Sequence, residues 1–125
     1  MTSKIDIVVG LLVLITGVLV YSFSPGQPLF VKPPGHVTTH WIGGGLGVVV
    51  GIVGIALRKK TSTVGLVVSI LSVVLALVFI LDAPGYPISS MLQPHGLAME
   101  GIGGLTAVVG IVGILAGLAL KPKTT

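Results

Sequence analysis

The sequence predicts an all-α membrane protein of four transmembrane helices, arranged as two tandem repeated hairpins with a parallel pseudo-twofold and both termini cytoplasmic. Three observations lead there. Hydrophobic residues make up 53% of the 125-residue chain and charged residues 8%, whereas a soluble domain carries about a quarter charged residues. Four apolar stretches, near Ile5–Phe23, Trp41–Leu57, Val64–Leu81 and Leu97–Leu120, each approach the roughly 20 residues that cross about 30 Å of hydrocarbon. The second half of the chain also repeats the first at an offset of 59 residues, most visibly in VVGIVGI at Val49–Ile55 and Val108–Ile114.

In hydrocarbon no water satisfies the backbone, so each apolar stretch must be helical. Helix one follows a single Lys4 and so has the outline of a secretory leader. No small-x-small cleavage site precedes Pro25, however, and helix three repeats the stretch, so it is expected to remain as a transmembrane helix. Pro25-Gly26-Gln27-Pro28 then turns the chain, and Pro33-Pro34 keeps the segment before helix two extended.

Helix two carries Gly44, Gly47, Gly51 and Gly54 at spacings of three and four, which puts them on one helical face. Small residues on such a face let helices approach closely and gain van der Waals contact where lipid supplies no hydrophobic drive. Arg58, Lys59 and Lys60 follow as a basic turn. Thr61-Ser62, the repeat of Thr2-Ser3, opens helix three, and Pro84-Gly85-Tyr86-Pro87 repeats the first turn. Helix four renews the small-residue face as Gly103, Thr106, Gly110 and Gly113, extended by Gly117, and ends at Lys121 and Lys123. The spacing predicts that helices two and four pack on each other through these faces, or each on a helix of another subunit. Helices one and three, with the sparser series Gly10, Gly17 and Ser69, Ala76, are expected to face lipid more extensively.

The division is therefore 1–59 for the first hairpin and 60–125 for the second, together one integral membrane domain. The formal net charge of +4 does not indicate nucleic acid, because Arg58, Lys59, Lys60, Lys121 and Lys123 flank helix ends as positive-inside residues do. Both Pro-rich loops then face outward from a prokaryotic cytoplasmic membrane. Tyr21, Phe23, Phe30, Trp41, Phe79 and Tyr86 fall near that side, as an aromatic interfacial belt would. The absence of cysteine excludes disulfides and thiolate metal sites.

Polar chemistry concentrates at the outer end in His36, His40, His95 and Glu100. His36 and His40 share a face if the helix begins by His36, His95 is the repeat partner of His36, and Glu100 lies a turn into helix four. Three imidazoles and a carboxylate suit zinc or copper, or hydrogen bonds to a quinone head group. A bis-histidine haem is disfavoured because His36 and His95 sit beside Gly or Pro ahead of their apolar stretches. Asp6 and Asp82 are expected to snorkel or cap at helix ends. No carboxylate falls mid-span, which argues against proton-coupled carriers and rotor-ring proteolipids, since both depend on one.

Packing residues are abundant and reaction chemistry is scarce, so no cofactor is required beyond a candidate metal at the outer histidines. The expected role is a non-catalytic accessory subunit of a multi-subunit membrane complex, such as a respiratory or oxidase assembly, and not an enzyme. Its partners would be membrane lipids and other membrane subunits, with no nucleic acid. A self-assembling component of a virus envelope or membrane array is the alternative, followed by a small transporter or channel.

Overall fold

The computed structural model describes residues 3–32 and 35–120; Lys121, Lys123 and the Pro33-Pro34 pair lie outside the described residues. Four helices account for most of it: α1 (Lys4–Ser22), α2 (His36–Ala56), α3 (Thr63–Leu81) and α4 (His95–Ala119), with a short 3-10 turn at Arg58–Lys60. All four are long and apolar enough to cross a membrane. Helix α3 begins and ends 59 positions after α1, and α4 begins 59 positions after α2.

Local chemistry sets the helix limits. Ser3 and Ser62 cap α1 and α3, their hydroxyls accepting from the amides of Asp6 and Gly65. After α1 the chain reverses at Gly26 (φ +85°), and after α3 at Gly85 (φ +87°), left-handed positions where a side chain would be strained. The amide of Leu29 donates to the Ser22 carbonyl and that of Ile88 to the Leu81 carbonyl, closing both turns in the same way. Helix α2 starts at His36, well before the apolar stretch at Trp41, so His36, Thr39 and His40 lie within its first turns.

The glycine faces of α2 and α4 do not meet, contrary to the sequence expectation. The dominant pairs are α1 with α4 and α2 with α3. A Cβ added at Gly47 would stand 2.7 Å from the Ala76 Cβ, and one at Gly51 would stand 2.6 Å from the Ser69 carbonyl oxygen; Gly44 and Gly54 likewise lie against Ile80 and Ser69 of α3. On the other pair, a Cβ at Gly110 would fall 2.7 Å from the Gly10 oxygen, and one at Gly117 would fall 2.9 Å from the Ser3 oxygen. Gly103 faces Tyr21, a Cβ added at Gly113 would stand 3.0 Å from the Gly10 Cα, and buried Thr106 donates within its own helix to the Ile102 carbonyl.

The physical reason is complementarity. Gly10 and Gly17 on α1, with Ser69, Ser72 and Ala76 on α3, are themselves close-contact positions and not lipid-facing ones. Each dense glycine ridge therefore meets a sparser small-residue series within the same chain. Ser72 Oγ also donates to the Gly47 carbonyl at 2.9 Å, an interhelical bond worth roughly 0.6 kcal/mol in a bilayer.

Neither aspartate snorkels. Asp6 is fully buried, and accepts from the Ser62 amide (3.1 Å) and the Ser62 hydroxyl (2.6 Å) in space left open by Gly65. Ser3 Oγ donates to the Lys60 carbonyl at 3.0 Å, so the start of α1, the basic turn and the start of α3 are tied at one end. At the other end Val20, Phe79, Met99 and Ile102 form a buried cluster.

Candidate metal centre

That cluster forms the floor of the histidine site. Placing His36 and His40 four residues apart at the start of α2 sets their rings edge to face on one side, with centroids 4.8 Å apart and planes at 87°. The pairing of α2 with α3 sets His40 on Phe79, with ring centroids 4.3 Å apart and planes 26° off parallel. Helix α4 begins at His95 and brings a third imidazole from the second hairpin. His36 Nε2 lies 3.2 Å from His95 Nε2 and 3.3 Å from His40 Nε2. One ligand atom from each of the three histidines falls within 4.8 Å of the other two. His36 and His40 are buried, and the His95 side chain keeps 21% of its exposure.

The outward nitrogens decide what the inward ones can do. His40 Nδ1 lies 2.7 Å from the Phe79 carbonyl oxygen; that oxygen only accepts, so Nδ1 carries the proton and Nε2 a lone pair. Thr39 Oγ1 gives its proton to the His36 carbonyl at 2.6 Å and turns a lone pair toward His36 Nδ1 at 3.4 Å. His95 Nδ1 lies 3.3 Å from Asp82 Oδ2, within ion-pair range but off the angle of a hydrogen bond. Burial pushes the Asp82 carboxyl up to about 6, and above that pH the carboxylate favours the His95 tautomer that carries its proton on Nδ1. With all three protons on Nδ1, the Nε2 lone pairs face one another; with any one on Nε2, that nitrogen donates to its neighbour instead. Such a cluster is repulsive unless a cation or a proton sits among them.

Two of the three spacings are those of a metal site. Tetrahedral ligation with Zn–N of about 2.0–2.1 Å separates ligand nitrogens by roughly 3.3–3.4 Å, against 3.2 and 3.3 Å from His36 Nε2 to its two neighbours, and all three ligand atoms lie within 4.8 Å of one another. Ligating histidines characteristically donate their other N–H to a carbonyl or carboxylate. Phe79 O and Asp82 stand in those positions.

Glu100 does not join the cluster. It lies five residues past His95, hence about 140° further round the helix, and its Oε1 faces Gln27 Nε2 at 3.5 Å. The carboxylate beside the histidines is instead Asp82, fully buried at the end of α3, with neither oxygen hydrogen-bonded. Phe79 is likewise interior and not part of an aromatic belt, whereas Trp41 Nε1 donates to the exposed Tyr86 hydroxyl at 3.1 Å. Asp82, Phe79 and Thr39 are the site residues that sequence reasoning missed. A usable signal for Asp82 was its position one residue before the Ala83-Pro84-Gly85 turn, in the same outer region as His95. The basic residues Arg58, Lys59 and Lys60 are exposed at the opposite end of α2.

No protein-family model matches the chain, and neither a curated protein nor a solved structure matches it.

Proposed function

We propose that this protein is an integral membrane protein that holds one transition-metal ion, zinc or copper, on His36, His40 and His95 at the end of its bundle remote from the basic turn. The supporting observation is the approach of His40 and His95 Nε2 to His36 Nε2, with the Phe79 carbonyl and Asp82 beside the outward Nδ1 atoms of His40 and His95. Imidazole suits both metals, and three protein ligands leave a fourth position for water or an exchanging ligand. Asp82 offsets part of the cation's charge through His95, a compensation that its own unpartnered oxygens call for.

In this reading the two hairpins, 1–59 and 60–125, are related by a pseudo-twofold along the membrane normal, with the basic turn and both termini cytoplasmic. Residues 59 apart meet near such an axis: His36 with His95 at one end, and Asp6 with Gly65 at the other. The metal site then faces outward.

The test is elemental analysis of protein extracted in neutral detergent, followed by titration with Zn²⁺ and Cu⁺. One equivalent bound, and lost in the His36→Ala and His95→Ala variants, supports the reading. If no metal binds and the three histidines instead share one titrating proton by NMR, the metal reading fails.

A second reading, the non-catalytic accessory subunit of a larger membrane complex, is favoured by Gly45 and Gly104. These glycines stand 59 positions apart on helix surfaces with nothing within 4 Å of a Cβ built there, leaving room for close approach by a neighbouring helix. Cross-linking in native membranes to unlike subunits in fixed stoichiometry would support it; recovery as a single species would refute it.

A further inference from the structure

Helices α1 and α2 do not share the close contact of the α1–α4 and α2–α3 pairs. Toward the basic end, Ile5, Val8 and Leu12 of α1 and Val49 and Val53 of α2, with Leu57 just beyond it, line an apolar groove of about 200 Å³. From Ile5 to Leu12 it runs about 10 Å along the helix, roughly a third of the hydrocarbon thickness. Leu57 also borders a second hollow of about 310 Å³ formed with Ala56, Arg58, Lys59 and Lys60. The groove thus opens directly onto the basic turn.

Lys4 is exposed immediately before Ile5, at the same mouth. The nearby carboxylate, Asp6, is buried and bound by Ser62. Among the described residues, the exposed charges at this mouth are therefore all positive. The turn is also fixed in place, because the Lys60 carbonyl accepts from Ser3 Oγ.

We propose that this groove seats one anionic phospholipid, an acyl chain lying between α1 and α2 and the phosphate resting on Arg58, Lys59 and Lys60. The chain alone cannot select among lipids, since their tails are as apolar as the groove. The headgroup selects. A basic side chain at the membrane surface favours an anionic lipid by roughly five-fold, so the turn favours one on the order of 10²-fold at low salt, less as salt screens the charge. A zwitterionic headgroup gains little from the same residues.

The test is native mass spectrometry of the full chain after exchange into nanodiscs of dioleoylphosphatidylcholine containing a tenth dioleoylphosphatidylglycerol. The expected result is one retained phosphatidylglycerol per protein, in large excess over its share of the mixture. The R58Q/K59Q/K60Q variant should retain both lipids in proportion to the mixture. Val53→Trp, which fills the groove and leaves the basic turn intact, should retain neither in fixed stoichiometry. Retention at the mixture's own ratio by the unaltered protein overturns the proposal. Undiminished phosphatidylglycerol preference in Val53→Trp overturns the seat in the groove, and displacement of the bound lipid by millimolar glycerol 3-phosphate shows that a free anion satisfies the site and overturns the lipid assignment. Helicity by circular dichroism confirms that each variant is folded before its lipids are counted.

Discussion

Replacing His95 with Ala is the cleanest perturbation of the site, because His95 is the least buried of the three imidazoles. Structural zinc sites with four ligands release roughly 10–16 kcal/mol, or about 2.5–4 per ligand. At 1.4 kcal/mol per tenfold, loss of His95 should weaken zinc binding by about 10²- to 10³-fold. Asp82→Asn keeps the shape of the side chain but removes its charge, and should weaken zinc by about 10- to 100-fold, as loss of an outer partner does. Glu100→Gln should leave affinity unchanged, since Glu100 faces Gln27. The assay is competition against a chromophoric chelator in detergent micelles at pH 7.5, with thermal unfolding as a check. Free zinc at 100 times its dissociation constant should stabilise the unaltered protein by about 2.7 kcal/mol. Unchanged affinity in His95→Ala, or a Glu100→Gln loss as large as that of His95→Ala, would refute the geometry argued above.

Three further outcomes follow from the packing and the buried acids. Gly110→Leu should separate α1 from α4, because even a Cβ there would meet the Gly10 oxygen at 2.7 Å; a loss of about 1–3 kcal/mol or more in detergent unfolding is expected, whereas Gly45→Leu, facing open space, should be tolerated. Asp6→Asn and Ser62→Ala should each cost about 1.5–3 kcal/mol, since they break a charge-assisted bond, and the double variant should cost less than the two together if they act on one interaction. For Asp82, a carboxyl raised from 3.8 to about 6 favours the folded state fully below pH 3.8 and loses that contribution as pH rises through about 6. The metal-free protein should therefore lose on the order of 1–3 kcal/mol from this group between those values, a slope that thermal scans of Asp82→Asn should lack.

Much of the fold was legible because hydropathy and turn chemistry act locally. Apolar runs of the right length, serines ahead of α1 and α3, and Pro-Gly pairs at the reversals each declare themselves within a few residues. Which helices pair was not legible from the glycines alone. The ridge on α2 says that something approaches closely, but Gly, Ser and Ala offer acceptable surfaces on every neighbour, and the choice of α3 is made by the whole bundle. The same gap hid part of the site. His36 and His40 are neighbours by helical spacing and His95 follows from the repeat, whereas Asp82 reaches His95 only once α3 and α4 have been placed together. Glu100 was misleading for a local reason: five residues is the wrong number for sharing a helix face with His95.

Read as a duplicated hairpin, the chain also explains why the proposed metal site needs both of its halves. At the offset of 59, the counterpart of His40 is Met99 and that of Asp82 is Phe23, so neither hairpin carries the full set. The first supplies His36 and His40; the second supplies His95, the Asp82 carboxylate and the Phe79 carbonyl. Two identical hairpins on a twofold would offer two histidines at the axis and duplicate whatever surrounded them. Here the surroundings differ, with Phe79 stacked on His40 and Met99 standing where the second hairpin would carry the counterpart of His40, both fully buried in one apolar cluster. Met99→His would restore the symmetric residue and place a fourth imidazole one turn below His95, but in a buried apolar cluster where an unpartnered ring nitrogen is costly. Its outcome separates a site built by the repeat from one built by departures from it, because a gain in zinc affinity would mean that the axis governs the ligand set, while a loss of stability without that gain would mean that the apolar floor does.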